Sequence, residues 1–234
     1  KFKEANDLAV RTSHWQDGGE GGRHPGFALK IDMDASGAVR DYRRICNYET
    51  GEITVRWSDE RGAWKRRAFV SRDADVAVFE LQAPSAGKLN CAISLQMPAE
   101  MNFPKGLKTK CLHTKDYLNI RVNYAAPMDT IGYEGGIRVK QKGGSSFLRN
   151  DTLYIKDASE ILLLSRTQKY PENCEAEWSK GFLKKELDAV RANYNGLLKV
   201  HKALHTSIYN RVRIDLGATS QERSLSNEEL LEKQ

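Results

Sequence analysis

Between Phe27 and about Lys169 the chain alternates apolar and polar residues with a period of two, and this excludes most folds at once. The runs FALKIDMD, AVRDYRRICNY, ITVRWSD and AWKRRAFVS follow one another, separated by Ala35-Ser36-Gly37, Glu49-Thr50-Gly51-Glu52 and Glu60-Arg61-Gly62. Runs spaced ~10 residues apart, with glycine in each intervening turn, predict an antiparallel meander. The alternation continues through DVAVFELQAP, KLNCAISLQM, LKTKCLHTK, YLNIRVNYA, GIRVKQKGG, DTLYIKD and EILLLSRTQ. That makes about eleven strands. None of the intervening stretches has the helical pattern of a dozen or more residues that a parallel crossover needs. The expected fold is therefore mainly β, a large antiparallel β-sandwich over residues 1–171. A chain of 234 residues is long enough to bury such a core.

At Pro171 the period changes. Leu183, Leu187, Val190, Tyr194, Leu197, His201, Leu204 and Ile208 recur at steps of four and three, one apolar stripe on a helix. Unbroken, residues 183–208 would make a rod ~39 Å long. Gly196 and its flanking asparagines are the residues that would interrupt it. Residues 172–234 thus read as an α-helical linker. In HTSIYNRVRIDLG the alternation of Val212, Ile214 and Leu216 predicts a short strand that ties the linker back onto the sandwich. In SLSNEELLEKQ, Ser226 and Glu229 stand at capping-box spacing, so a helix starts near Asn227 with Leu230 and Leu231 to bury. One turn is not a stable helix alone. The chain therefore reads as a fragment that ends at the entrance to a further helical unit. Its uncovered stripe should be exposed, which would also let the fragment self-associate.

Charge narrows the partners. The net charge is +6, and the basic residues concentrate in residues 40–72, where they alternate with apolar ones as on the wet face of a sheet. No basic helix, zinc finger or aromatic RNA-binding motif accompanies them, so no nucleic-acid partner is expected. No apolar run nears the ~18 residues of a membrane span. Cys46, Cys91, Cys111 and Cys174 are widely separated, which supports neither a zinc site nor a redox motif. Cys46 and Cys91 read as small buried apolar residues, with a disulfide left open. The first residue is Lys and no signal peptide precedes it, so the residues themselves carry no address.

Candidate chemistry is sparse. His201 and His205 share a helix face but lack a third ligand, and packing against the sandwich is the better expectation. GGEGGRHPG precedes a strand rather than a helix, so it is a loop and not a phosphate cradle. Trp15, Arg23 and His24 on or beside that loop offer an aromatic ring and polar tips, the chemistry of a sugar site, and are the candidate substrate-binding residues. GYEGG places Tyr133 and Glu134 beside glycines, but glycosidases need two carboxyl groups flanking one bond. No catalytic residue, metal site or cofactor is therefore assigned to this chain.

Several stretches together resemble the N-terminal region of glycoside hydrolase family 95, the inverting α-L-fucosidase-type enzymes. The matching positions are Tyr42, Arg43, Gly51, Phe69, Ser71, Asp75 and Val76 in the early strands. In the linker they are His205, Tyr209, Arg211, Val212, Leu216, Gly217 and Leu225. IGYEGGIRVKQKGG and DTLYIKDASEILLLSRTQKY resemble the late strands. The family's opening Gly-Asn-Gly-Arg stretch has no counterpart, and Leu225-Ser226-Asn227 replaces its Pro-Thr-Asp. The resemblance implies an N-terminal β-supersandwich with its start missing. It also implies a helical linker, an (α/α)6 barrel that carries the chemistry elsewhere, an oligosaccharide substrate and export to the periplasm or medium. The chain alone would be inactive and would support that barrel. The alternative is a free-standing carbohydrate-binding or protein-interaction sandwich, and polysaccharide lyases and phosphorylases also combine sandwiches with helical barrels.

Overall fold

The computed structural model describes residues 26–84, 88–98, 106–127, 129–170, 172, 174–214 and 217–232. Twelve strands form among them: β1 Ala28–Asp32, β2 Arg40–Asn47, β3 Glu52–Asp59, β4 Gly62–Val70, β5 Ala77–Gln82 and β6 Leu89–Gln96, then β7 Lys108–Cys111, β8 Tyr117–Asn123, β9 Gly132–Lys142, β10 Ser145–Arg149, β11 Thr152–Ala158 and β12 Glu160–Tyr170. The helices are α1 Cys174–Lys180, α2 Phe182–Ala189, α3 Tyr194–Tyr209 and α4 Asn227–Leu231. All strand pairs are antiparallel, and the strands fall into a small sheet, β1-β6-β11-β10, and an eight-stranded sheet, β2-β3-β4-β5-β12-β9-β8-β7. The mainly β sandwich with a helical region after it is what the period-two alternation predicts.

Three details differ from that prediction. The meander is β2-β3-β4-β5, while β1, the first run of the series, crosses to the small sheet and pairs with β6. β10 is a twelfth strand, hidden because its residues SSFLR are mostly exposed at a sheet edge and show no alternation. Its Phe147 stacks on Tyr154 of β11 at 5.1 Å. Cys46 is exposed, because β2 is an edge strand with no residue buried on either face. Cys91 is buried as expected, which pushes its thiol up to about 12, and Cys46, Cys91 and Cys111 are all free.

Period two sends alternate residues to opposite faces, and both faces of the large sheet are used. Its inner face meets the small sheet over a core that includes Leu89, Ile93, Leu153, Ile155, Ile137 and Leu163. Its outer face is covered by helices: Phe69, Val78, Tyr117, Leu162 and Leu164 pack against Leu183, Leu187, Tyr194 and Leu198. The molecule therefore has three layers, small sheet, large sheet and helices. β9 makes this possible. A methyl at Gly135 would overlap the Phe27 ring on the inner side. A methyl at Gly136 would stand 3.0 Å from Leu183 Cδ2 and 3.1 Å from Leu187 Cδ1 on the outer side. α2 accordingly rests directly on β9 and β12.

The apolar stripe is not one rod. Val190 leaves the helical region with ψ 126°, and α3 restarts after Asn193, whose side chain accepts from the Gly196 amide at 2.7 Å. Gly196 thus serves the cap and does not break a helix. Val212 and Ile214 form no strand and are 74% and 79% exposed, which overturns the expected tie-back for the described part of that stretch. The capping box of α4 is present: the Ser226 amide donates to Glu229 at 2.7 Å and the Glu229 amide to Ser226 Oγ at 3.2 Å.

Two predictions follow from the sheet faces. Gly136→Val should destabilise the protein by roughly 1–3 kcal/mol in urea denaturation, as overpacking does, and should raise hydrogen exchange in α2. Arg43, Arg56 and Lys65 stand directly opposite one another on three neighbouring strands and form no ion pair with a described residue. Burial, then Arg67 and Arg56, hold the Lys65 ammonium below its ordinary value. Opposed like charges destabilise a sheet, so Arg56→Gln should raise stability by about 0.2–1 kcal/mol in the same assay.

Candidate functional site

The side of the large sheet that meets the helices carries arginines among its apolar residues, and Arg138, Arg67 and Arg166 are each committed to a partner. Arg138 of β9 donates from Nη1 to the carbonyls of Leu187, Asp188 and Val190 at 3.0, 3.2 and 2.8 Å. A cation from the sheet thus satisfies the open C-terminus of α2, where the helix dipole is negative. Arg67 of β4 meets Glu80 at 2.5 Å and stands 4.0 Å over the Tyr194 ring, while Tyr194 donates to Glu52 at 3.0 Å. Arg166 of β12 reaches Asp75 at 3.2 Å and Glu186 of α2 at 3.6 Å.

Glu134 lies at the other end of this face and is 3% exposed. It accepts from Asn119 Nδ2 at 2.7 Å, Arg121 Nε at 3.2 Å and the Tyr170 hydroxyl at 3.0 Å. Burial, followed by the charge of Glu134, pushes the Tyr170 hydroxyl above its usual range, so it remains a donor. A buried carboxylate with three donors is a fixed acceptor, satisfied in place. Arg121 carries the contact onward: its Nη2 donates to the Trp178 carbonyl at 3.0 Å, and its guanidinium lies 5.4 Å from the indole centroid. Tyr133 points to the opposite side, into the core between the sheets. GYEGG therefore sets one buried acid on the helix side, one aromatic on the core side and two bare positions for packing. Beside Arg121, a cleft of about 420 Å³ opens between β7, β8 and α1.

His201 and His205 hold α3 against the Tyr48–Gly51 turn. His205 Nε2 donates to the Tyr48 carbonyl at 2.9 Å, and its Nδ1 accepts from Arg72 Nε at 3.1 Å. Thr206 adds a bond to the Glu49 carbonyl at 2.9 Å. His201 stacks on Phe69 with centroids 5.0 Å apart, and its Nδ1 accepts from the Arg72 amide at 3.4 Å. Gly51, at φ 64°, is needed twice: for its left-handed backbone and because a methyl there would stand 2.9 Å from His201 Nε2. The pair is a packing device, as the sequence predicts. Among the described residues no group of three or more His, Cys, Asp or Glu side chains is placed to hold a metal. Trp15, Arg23 and His24 lie outside the described residues. Asn119, Arg121, Tyr170 and Trp178 carried no signal in the sequence, since the pairing of β8 with β9 and β9 with β12 and the docking of α1 on Arg121 bring them together.

Comparison with known proteins settles what kind of domain this is. Residues 1–171 match the family described as glycosyl hydrolase family 65, N-terminal domain. The chain belongs to that family. Among solved structures, the family 65 domain resembles "Putative kojibiose phosphorylase from human microbiome", with a TM-score of 0.54 and 10% identity. The alignment covers 77% of this chain and 27% of that one, so the chain spans about a quarter of that protein's length, and the likeness is one of fold. No curated protein matches the chain. The resemblance read from the sequence thus reached an N-terminal domain of a glycoside hydrolase family, and the family is 65 where 95 was expected.

A pH dependence follows from the histidine contact. Burial, then the neighbouring His205, hold His201 below its ordinary value of 6.5; Arg72 adds to this, while the Thr50 carbonyl and Glu52 oppose it. The unfolded chain binds more protons than the folded one just below 6.5. Stability should therefore be full above that value and fall as pH is lowered through it. The urea midpoint should drop between about pH 7.5 and about pH 5.5, and drop less in His201→Phe, which keeps the stack on Phe69.

Proposed function

We propose that this chain is the non-catalytic N-terminal domain of a family-65-type carbohydrate-active enzyme, and that it braces a catalytic domain carried elsewhere in the same polypeptide. The match of residues 1–171 to the family 65 N-terminal domain carries this reading. Two features support it. The buried carboxylates Glu80 and Glu134 are each paired with an arginine, an arrangement suited to holding strands in place. The outer side of α3 stays apolar, with Val200, Leu204 and Ile208 each more than two-fifths exposed, and Leu231 of α4 is 67% exposed. A helical partner layer would cover these side chains.

The bond broken by the whole enzyme is proposed to be glycosidic, with phosphate as the acceptor, by analogy with the phosphorylase of similar fold. Trp15, Arg23 and His24 are proposed to reach the rim of its sugar site. The test compares the 234-residue chain with the polypeptide encoded by its whole reading frame. Each is incubated with kojibiose and with an aryl α-L-fucoside, with and without phosphate. The chain alone should turn over neither substrate. The whole polypeptide should release a sugar phosphate from kojibiose only when phosphate is present. Free sugar without phosphate would replace phosphorolysis with hydrolysis, and turnover of the fucoside would restore the fucosidase expectation. Turnover by the 234-residue chain alone would sink the non-catalytic reading.

A further inference from the structure

We propose that the cleft between β7, β8 and α1 is a binding site for a neutral saccharide. At about 420 Å³ it has the size of a small-molecule pocket, ~300–1,000 Å³. Its walls are placed by register. Lys108 pairs with Asn123 and Lys110 with Arg121, so these four side chains stand on the helix side of the sheet. Asp129 comes from the turn after β8, and Glu175 and Trp178 come from α1.

The chemistry of this lining eliminates most ligands. No aliphatic residue stands among its described members, and its apolar wall includes the rings of Tyr124 and Trp178. A simple anion meets Asp129 and Glu175, and a simple cation meets Lys108, Lys110 and Arg121. A hydroxyl both donates and accepts, so a polyhydroxylated ligand satisfies the carboxylates and the ammonium groups together. The rings of Tyr124 and Trp178 border the same space and offer faces or edges to the C–H side of a sugar.

A second observation points the same way. Trp178 is nine-tenths buried, yet among the described residues its Nε1–H finds no acceptor. A buried donor without a partner is costly; Nε1 is closed off from the cleft, so a shift of α1 on binding would be needed to bring it to a ligand oxygen. The indole is meanwhile held from behind by Arg121, and Arg121 by Glu134. The site is thus set by the buried Glu134 cluster before any ligand arrives, which lowers the ordering cost of binding.

The inference rests on the proposed function only in its choice of sugars as probes. The 234-residue chain would be titrated with maltose, cellobiose and lactose by calorimetry and by tryptophan fluorescence, with sodium phosphate as competitor. At least one disaccharide should bind in the millimolar range, and phosphate should not displace it. Lys110→Ala and Glu175→Ala alter exposed side chains and should leave thermal stability unchanged. Each should weaken binding about tenfold, the effect of losing a hydrogen bond to a charged group. Trp178→Phe should abolish the fluorescence response. No binding of any of the three sugars, unchanged affinity in both alanine variants, or displacement by phosphate would each overturn the proposal. An inactive parent polypeptide would instead count against the proposed function and leave this site standing.

Discussion

Two bare positions on one strand decide how many layers this domain can have. A strand in a two-sheet sandwich ordinarily buries one face and wets the other. β9 buries both, because Gly135 admits the Phe27 ring from one side and Gly136 admits Leu183 and Leu187 from the other. A side chain at Gly136 would hold the helices off the sheet, and the apolar seam of Phe69, Val78, Leu162 and Leu164 would lose its cover. The helical layer depends on this close approach more than on its own propensity, since helices of seven and eight residues are marginal alone.

Apolar contact brings the helices onto the sheet, and arginine determines where they stop. Burying a guanidinium carries a desolvation cost that only good geometry offsets. Here the geometry is good: one Arg138 nitrogen meets three carbonyls at the end of α2, and Arg121 joins a buried acid to a carbonyl and an indole face. Lysine, a compact point charge, could not make this set of contacts. The same residues explain why the charge in residues 40–72 is only partly a wet face. Arg56 is exposed, but Arg67, two strand positions from a lysine, is drawn under Tyr194.

The layers were legible where a pattern is repeated and opaque where a contact is made once. Alternation predicted the sandwich because every strand repeats it, and steps of three and four predicted the helical region for the same reason. β10 escaped because five edge residues need not alternate. The interruption of the stripe was expected at Gly196 and its flanking asparagines; it falls at Val190–Asn193, where Asn193 caps α3, while Arg138, some fifty residues earlier in the chain, meets the end of α2. The assignment of Cys46 to the interior failed because alternation cannot show that β2 is the last strand of its sheet. Glu134 was visible as an oddity beside glycines, but its partners come from two other strands, β8 and β12, and pairing alone unites them. Loose motifs in order sufficed to recognise an N-terminal domain of a sugar-processing enzyme. They did not distinguish family 65 from family 95.

The flanks of the large sheet limit how the domain can be approached. β2 carries arginines on both faces and is bent at Asp41, where the backbone turns left-handed at φ 52° and the pairing slips. β7, at the opposite flank, is four residues long and bears two lysines. Charged, kinked or short borders are poor templates for another strand. Neither end of the sheet invites extension, while the exposed apolar side chains of α3 remain available. A mainly β domain thus also presents an apolar helical surface, at Val200, Leu204 and Ile208 of α3.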